Sequence, residues 1–186
     1  MPTLSLRFHR RADADAQLVL VREDGTHTAG RIGPGDGYGP VHDLAHYVVE
    51  RALALSEGFL GLVASGWEIA DFEVKGTARR LPDDAVLAEV MAGELSREEM
   101  MGQYAGAEDV AWGVAAYLRQ ARPDFPVPPI TAELLAAMRG ELVSLRERWT
   151  DVPPGGVLEL SLTTARRSGC PRPAAPAAGG KKERRR

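Results

Sequence analysis

Leu4-Ser5-Leu6-Arg7-Phe8-His9 sets an apolar residue against a polar one at every second position. That is the period of a β-strand with one face turned to a core. Gln17 to Arg22 reads as a second strand. Glu23-Asp24-Gly25 carries a hairpin-turn signal, with Gly25 free to take positive φ. Thr26 to Ile32 returns as a third strand, which completes an antiparallel meander. Far downstream, Val157-Leu158-Glu159-Leu160-Ser161-Leu162 alternates in the same way and is expected to join that sheet, after a turn at Pro153-Pro154-Gly155-Gly156.

Between these strands the periodicity changes to helical. Gly33 to Gly39 holds four glycines and reads as a loop. Pro40 suits the first turn of a helix, where its missing N–H is no loss. That helix is expected to run to about Glu57, with Gly58 as its C′ residue. Phe59 to Trp67 follows as a short helical segment, and Ile69 to Val74 as an extended one. Pro82 opens a helix over Asp83 to Ala92 that Gly93 should interrupt, and Ser96-Arg97-Glu98-Glu99 fits a capping box. Glu108 to Gln120 forms the next helix. Arg122 to Pro129 carries four prolines and is a connector. Thr131 caps a long helix in which Leu134, Leu135, Met138, Leu142 and Leu145 recur at helical spacing. The fold class is therefore α+β: a small antiparallel sheet, built from the N-terminal meander plus a C-terminal strand, packed against several helices. Residues 1–164 form one globular domain. Residues 165–186, rich in Pro, Ala and Gly and then basic, form a disordered tail.

Composition limits the function. No run of about 18 apolar residues exists, so no membrane span is expected, and no secretory leader is visible. Cytoplasmic placement follows as an expectation. Cys170 is the only cysteine, which excludes a disulfide framework or a Cys-ligated zinc site within one chain. The net charge of -3 hides a division. Eight of the 23 Lys/Arg lie from Arg166 onward, against one of the 26 acids, so an acidic body of about −10 carries a basic tail of about +7. Such a body is ill suited to specific nucleic-acid binding. The tail could touch acidic surfaces, and no other partner is indicated. Neither a G-x-G-x-x-G loop nor a Gly-Lys-Ser/Thr phosphate cradle is present, and no serine sits in a G-x-S-x-G elbow.

The chemistry gathers on one helix, at His42-Asp43-Leu44-Ala45-His46. With 100° per residue, His46 lies about 40° round from His42, Glu57 about 60°, Glu50 about 80° and Asp43 about 100°. The apolar residues Val41, Leu44, Ala45, Val48, Ala52 and Leu55 take the opposite side. Residues four apart can touch, and this is the spacing by which two imidazoles grip one divalent ion. His42, His46, Glu50 and Glu57 are thus the candidate ligands of a divalent metal, zinc or iron, and Asp43 is the candidate catalytic group. The competing reading is a solvated polar face, such as any surface helix shows. Two of the four histidines of the chain sitting one turn apart speak for the metal.

Gly39-Pro40-Val41-His42-Asp43-Leu44-Ala45-His46-Tyr47-Val48-Val49-Glu50, with Gly58-Phe59-Leu60-Gly61-Leu62 and Gly66-Trp67-Glu68-Ile69-Ala70-Asp71-Phe72, resembles a group of small uncharacterised bacterial proteins sharing an HDLxHYxVE…GFxGLxAxGWxIxDF pattern. The resemblance covers residues 1 to about 150 and implies no activity. The HD-x-x-H helix alone is similar to the zinc-binding motif of ubiquinone-biosynthesis scaffold proteins. It is also similar to the H-E-x-x-H helix of zincins, with Asp43 in place of the glutamate base. Two functions stay open at this level. One is a metal-binding protein with hydrolase-like or small-molecule or lipid-binding activity. The other is a non-enzymatic interaction module that docks a partner through its helices and basic tail. Whether the chain is an enzyme is not decided by the sequence.

Overall fold

A computed structural model describes residues 2–13, 15–164 and 170–173. Four antiparallel strands, β1 (Thr3–Arg10), β2 (Asp15–Arg22), β3 (His27–Pro34) and β4 (Val157–Thr163), form one sheet in the order β3-β2-β1-β4. The C-terminal strand therefore sits beside β1, with Leu4 opposite Leu162 and Leu6 opposite Leu160. On the other side of β1, Leu6 pairs with Leu20 and Phe8 with Leu18. Alternation puts Leu4, Leu6, Phe8, Leu18 and Leu20 on one face, and all five are buried. Gly25 turns the β2–β3 hairpin at φ 83.

The helices cover that face. They are α1 (Tyr38–Ala52), the short α2 (Phe59–Ala64), α3 (Asp83–Met101), α4 (Ala107–Ala121) and α5 (Ala132–Thr150). Helix α1 packs against β3, α3 and α5 together, so it is covered on more than one side. Leu44, Val48 and Val49 are fully enclosed, and His46 and Glu50 are buried as well. Its start is pinned. A side chain on Gly39 would occupy the carbonyl of Ile32, and the Trp149 indole N–H donates to the Gly35 carbonyl at 2.6 Å. The loop expected over Gly33–Gly39 shrinks to residues 35–37 between β3 and α1 and anchors the helix, and Gly39 serves its close approach to β3. Thr131 caps α5 through its hydroxyl, which accepts from the Leu134 N–H. No helix among the described residues is long and apolar enough to cross a membrane.

Several element boundaries differ from the expectation. Helix α1 stops at Ala52, not Glu57. Leu55 N–H returns to the Glu50 carbonyl at 3.0 Å and Ala54 N–H to the Arg51 carbonyl at 3.3 Å, with Ala54 at φ 50. This is a Schellman ending in which alanine takes the left-handed place that glycine usually fills. Asp84, at the start of α3, then accepts from the N–H groups of Ser56 and Glu57, both at 3.2 Å, and draws the chain away from the helix axis. Gly93 does not break α3, because Met91, Ala92 and Leu95 around it are buried in a helix that packs on α1 and α5. Ser96 is no cap: it is buried in mid-helix, and its hydroxyl donates to the Ala92 carbonyl at 2.6 Å. Ile69–Glu73 is a 3-10 turn instead of a strand. Glu68 and Asp71 close it with reciprocal side-chain caps. Of the expected tail, Cys170–Pro173 lies on the body, with Arg172 Nε 2.5 Å from Asp71 Oδ2. Residues 165–169 and 174–186 lie outside the described residues.

Candidate metal centre

His42 and His46 face the same way because they are one turn apart on α1. Their rings lie edge to face with centroids 4.9 Å apart. The stripe they share is not solvated. Helix α3 crosses it and brings Glu89 to both imidazoles: Glu89 Oε1 is 3.6 Å from His42 Nε2, and Glu89 Oε2 is 3.2 Å from His46 Nε2. His42, His46 and Glu89 together form a group that could hold a metal ion, each offering a ligand atom within 4.8 Å of the others.

The remaining ring nitrogens point away from this cluster, toward supporting groups. His46 Nδ1 faces the buried Glu50 carboxylate at 3.5 Å. His42 Nδ1 has the Tyr38 hydroxyl at 3.2 Å and Ser96 Oγ at 3.4 Å. The Ser96 hydroxyl is itself 2.9 Å from Tyr38. His42 Nδ1 thus has hydrogen-bond partners that can orient a ligating ring and leave Nε2 as the ligand, whereas His46 Nδ1 has the Glu50 carboxylate nearby without a hydrogen bond to it.

Glu50 has a second task. Its carboxylate accepts from the N–H groups of Leu60 at 3.0 Å and Gly61 at 3.1 Å, the uncapped start of α2. A side chain on Gly58 would collide with that carboxylate. Glu50 therefore stands behind His46, tied to α2, and does not face the cluster. Glu57 lies beyond the end of α1, so the angle of a continuous helix does not apply to it, and it is not in the cluster. Asp43 does share the space: it lines the same cavity as the two histidines and Glu89.

The charges define what this space accepts. Burial pushes the Asp43 carboxyl up to about 6, against the pull of His46 and His42. Burial would also lower the His46 imidazolium, but the carboxylates of Glu50 and Glu89 overcome it and raise it to about 10. His42 first, and then His46, hold the Glu89 carboxyl well below the usual carboxylate range. The carboxylates of Asp43, Glu50 and Glu89 thus lie around the two imidazoles.

The adjoining cavity has a volume of about 450 Å³, which suits a small molecule. Phe59 and Phe72 form part of its wall; Phe59 lies 5.4 Å from the His46 ring and 4.9 Å from Phe72. Sequence reasoning found the two histidines and Asp43, but not Glu89. The available signal was that Glu89 is the single charged residue in Ala85-Val86-Leu87-Ala88-Glu89-Val90-Met91-Ala92. No protein family matches the chain, and comparison with curated proteins and with solved structures gives no match either.

Proposed function

We propose that the chain binds one divalent metal ion, zinc or ferrous iron, through His42, His46 and Glu89, and uses it on a small molecule held in the adjoining cavity. One observation carries this reading: two imidazoles from α1 and a carboxylate from α3 converge at a cavity wall, with the far nitrogen of each ring facing a supporting group. Two histidines and one carboxylate with open positions are the ligand set of catalytic zinc and of non-haem iron. A bound ion of this kind acts as a Lewis acid and lowers the pKa of water. Asp43 then has the place and the acidity of a proton acceptor: it is in the same cavity, and its carboxyl is tuned toward neutral pH. Glu50 orients His46, and Tyr38 with Ser96 orients His42. Hydrolysis is the reaction class these groups fit best. The interaction-module alternative rests on the basic tail, most of which lies outside the described residues.

The test is zinc titration and metal analysis of protein purified without a histidine tag. About one ion per chain is expected. His42→Ala and Glu89→Gln should each abolish it, and Glu57→Gln should leave it unchanged. A wild-type stoichiometry near zero overturns the proposal.

A further inference from the structure

The cavity extends along one face of α3, from Ala85 and Val86 to Glu89 and Val90. That is roughly 8 Å of helix with the metal ligands at one end of it. Beyond the ligands its walls are mostly apolar, with Phe59, Phe72, Leu81, Val86 and Val90, and polar atoms come from Tyr117 and Arg122. Arg122 is the one fixed cation lining it among the described residues, and its charge is paired with Asp83, with three of its five N–H donors taken. Its Nε pairs with Asp83 at 2.9 Å, Nη2 donates to the Leu81 carbonyl at 3.0 Å, and Nη1 to the Ala121 carbonyl at 2.9 Å. With Asp83 already balancing Arg122, the lining residues hold no unpaired cation to balance the charge of a phosphate, a sulfate or a distal carboxylate. At the ligand end, Asp43, Glu50 and Glu89 already exceed the charge of a divalent ion. A neutral head group enters such a site more easily than an anion.

Resting on the metal centre proposed above, we infer that the substrate is an uncharged, apolar small molecule with a single neutral oxygen head, the carbonyl of an ester or amide, that meets the metal while its hydrocarbon body lies along α3. The same features disfavour nucleotides, phosphorylated sugars and dicarboxylates. The body contributes affinity through burial of apolar surface, so binding should grow with chain length until the cavity is filled.

Straight-chain hydroxamic acids test the hydrocarbon body: they are neutral in solution at pH 7, chelate zinc through one constant head group that gives up its proton on binding, and differ only in chain length. Acetohydroxamic, butyrohydroxamic, hexanohydroxamic and octanohydroxamic acid are titrated into the zinc-loaded protein by calorimetry. Affinity should rise by about fourfold per methylene and then level off. Succinic acid monohydroxamate, which adds a distal carboxylate, should bind more weakly than butyrohydroxamic acid. Val90→Trp fills the cavity and should remove the chain-length gain while zinc affinity stays unchanged. Ala78→Trp, at an exposed position on the cavity rim, does the same without disturbing the core. Affinity that is flat with chain length, or a gain that survives both variants in zinc-binding protein, overturns the substrate class. Failure to bind zinc at all overturns the metal centre itself, and the separate zinc titration tells the two apart.

Discussion

Helix α3 carries two clusters of charge, and they are completed in different ways. Near its C-terminal end Glu98 is fully buried. Arg139 meets it through Nε at 2.9 Å and Nη2 at 2.5 Å, and the Ala105 N–H donates to it at 2.9 Å. Glu99 beside it takes the Tyr104 hydroxyl at 2.8 Å and Arg146 at 2.7 Å. Those cations are permanent. About two and a half turns earlier, Glu89 meets only His42 and His46 among the described residues, whose charge is conditional, and its side chain is 65% exposed beside a cavity. The first cluster holds α3 to α5 and to the chain entering α4. The second lacks a permanent cation of its own. Burial of charge alone therefore does not mark a site here; the nature of the counter-charge does.

The largest effect that would test this contrast belongs to the closed cluster. Glu98→Ala leaves Arg139 and the Ala105 N–H without their partner, and should cost about 3–5 kcal/mol in urea unfolding. Zinc affinity of the folded protein should not change; if it does, the two clusters are one network and the contrast fails. Next comes Glu50→Gln at the open cluster. Loss of the carboxylate behind a histidine of the proposed metal site should weaken zinc by about 10–100-fold, measured by competition with a chromophoric chelator. An unaltered affinity would reduce Glu50 to a cap for α2.

A smaller effect, of opposite sign, is expected at Asp43. Its folded value of about 6 lies above the ordinary 3.8, so in metal-free protein its contribution is complete below about pH 4 and is lost as pH rises through 6. His46, raised to about 10, contributes fully below its ordinary 6.5 and loses that contribution as pH rises through 10. Both groups thus make the metal-free protein less stable toward alkaline pH. Asp43→Asn removes the first loss and should stabilise the metal-free protein by about 1–2 kcal/mol at pH 7, with little change at pH 4. Destabilisation at pH 7 would show that Asp43 is held by a favourable contact. The smallest effect is that of Tyr38→Phe. Tyr38 is half exposed and Ser96 still reaches His42, so stability should change by no more than about 0.5 kcal/mol, and zinc affinity only slightly.

The parts of this structure that were legible in the sequence are those set by local periodicity. The strands alternate over a few residues, and even β4, far from its partner in the chain, carries its own pattern. His42 and His46 were legible for the same reason, since helix geometry alone brings them together. Glu89 lies 43 residues from His46, and only the packing of α3 on α1 brings it there. Glu50 sits on the expected side of the helix, but a wheel gives an angle and not a neighbour, and its neighbour is the start of α2. The helical angle fails for Glu57 because α1 stops at Ala52 and Ala54, beyond it, turns left-handed in a conformation that no glycine announces. The cavity was illegible altogether, being formed by parts of α1, α2, α3, α4 and the 3-10 turns Ile69–Glu73 and Thr77–Arg80.

Gly58 gives the molecule a diagnostic letter. Any larger residue there would displace the Glu50 carboxylate, and with it both the support of His46 and the cap of α2. Among distant sequences that keep the two histidines, glycine at this position and glutamate at Glu50 should therefore be inherited or lost as a pair. A chain with His-x-x-x-His but a bulky residue at the place of Gly58 has kept the motif and discarded the machinery behind it.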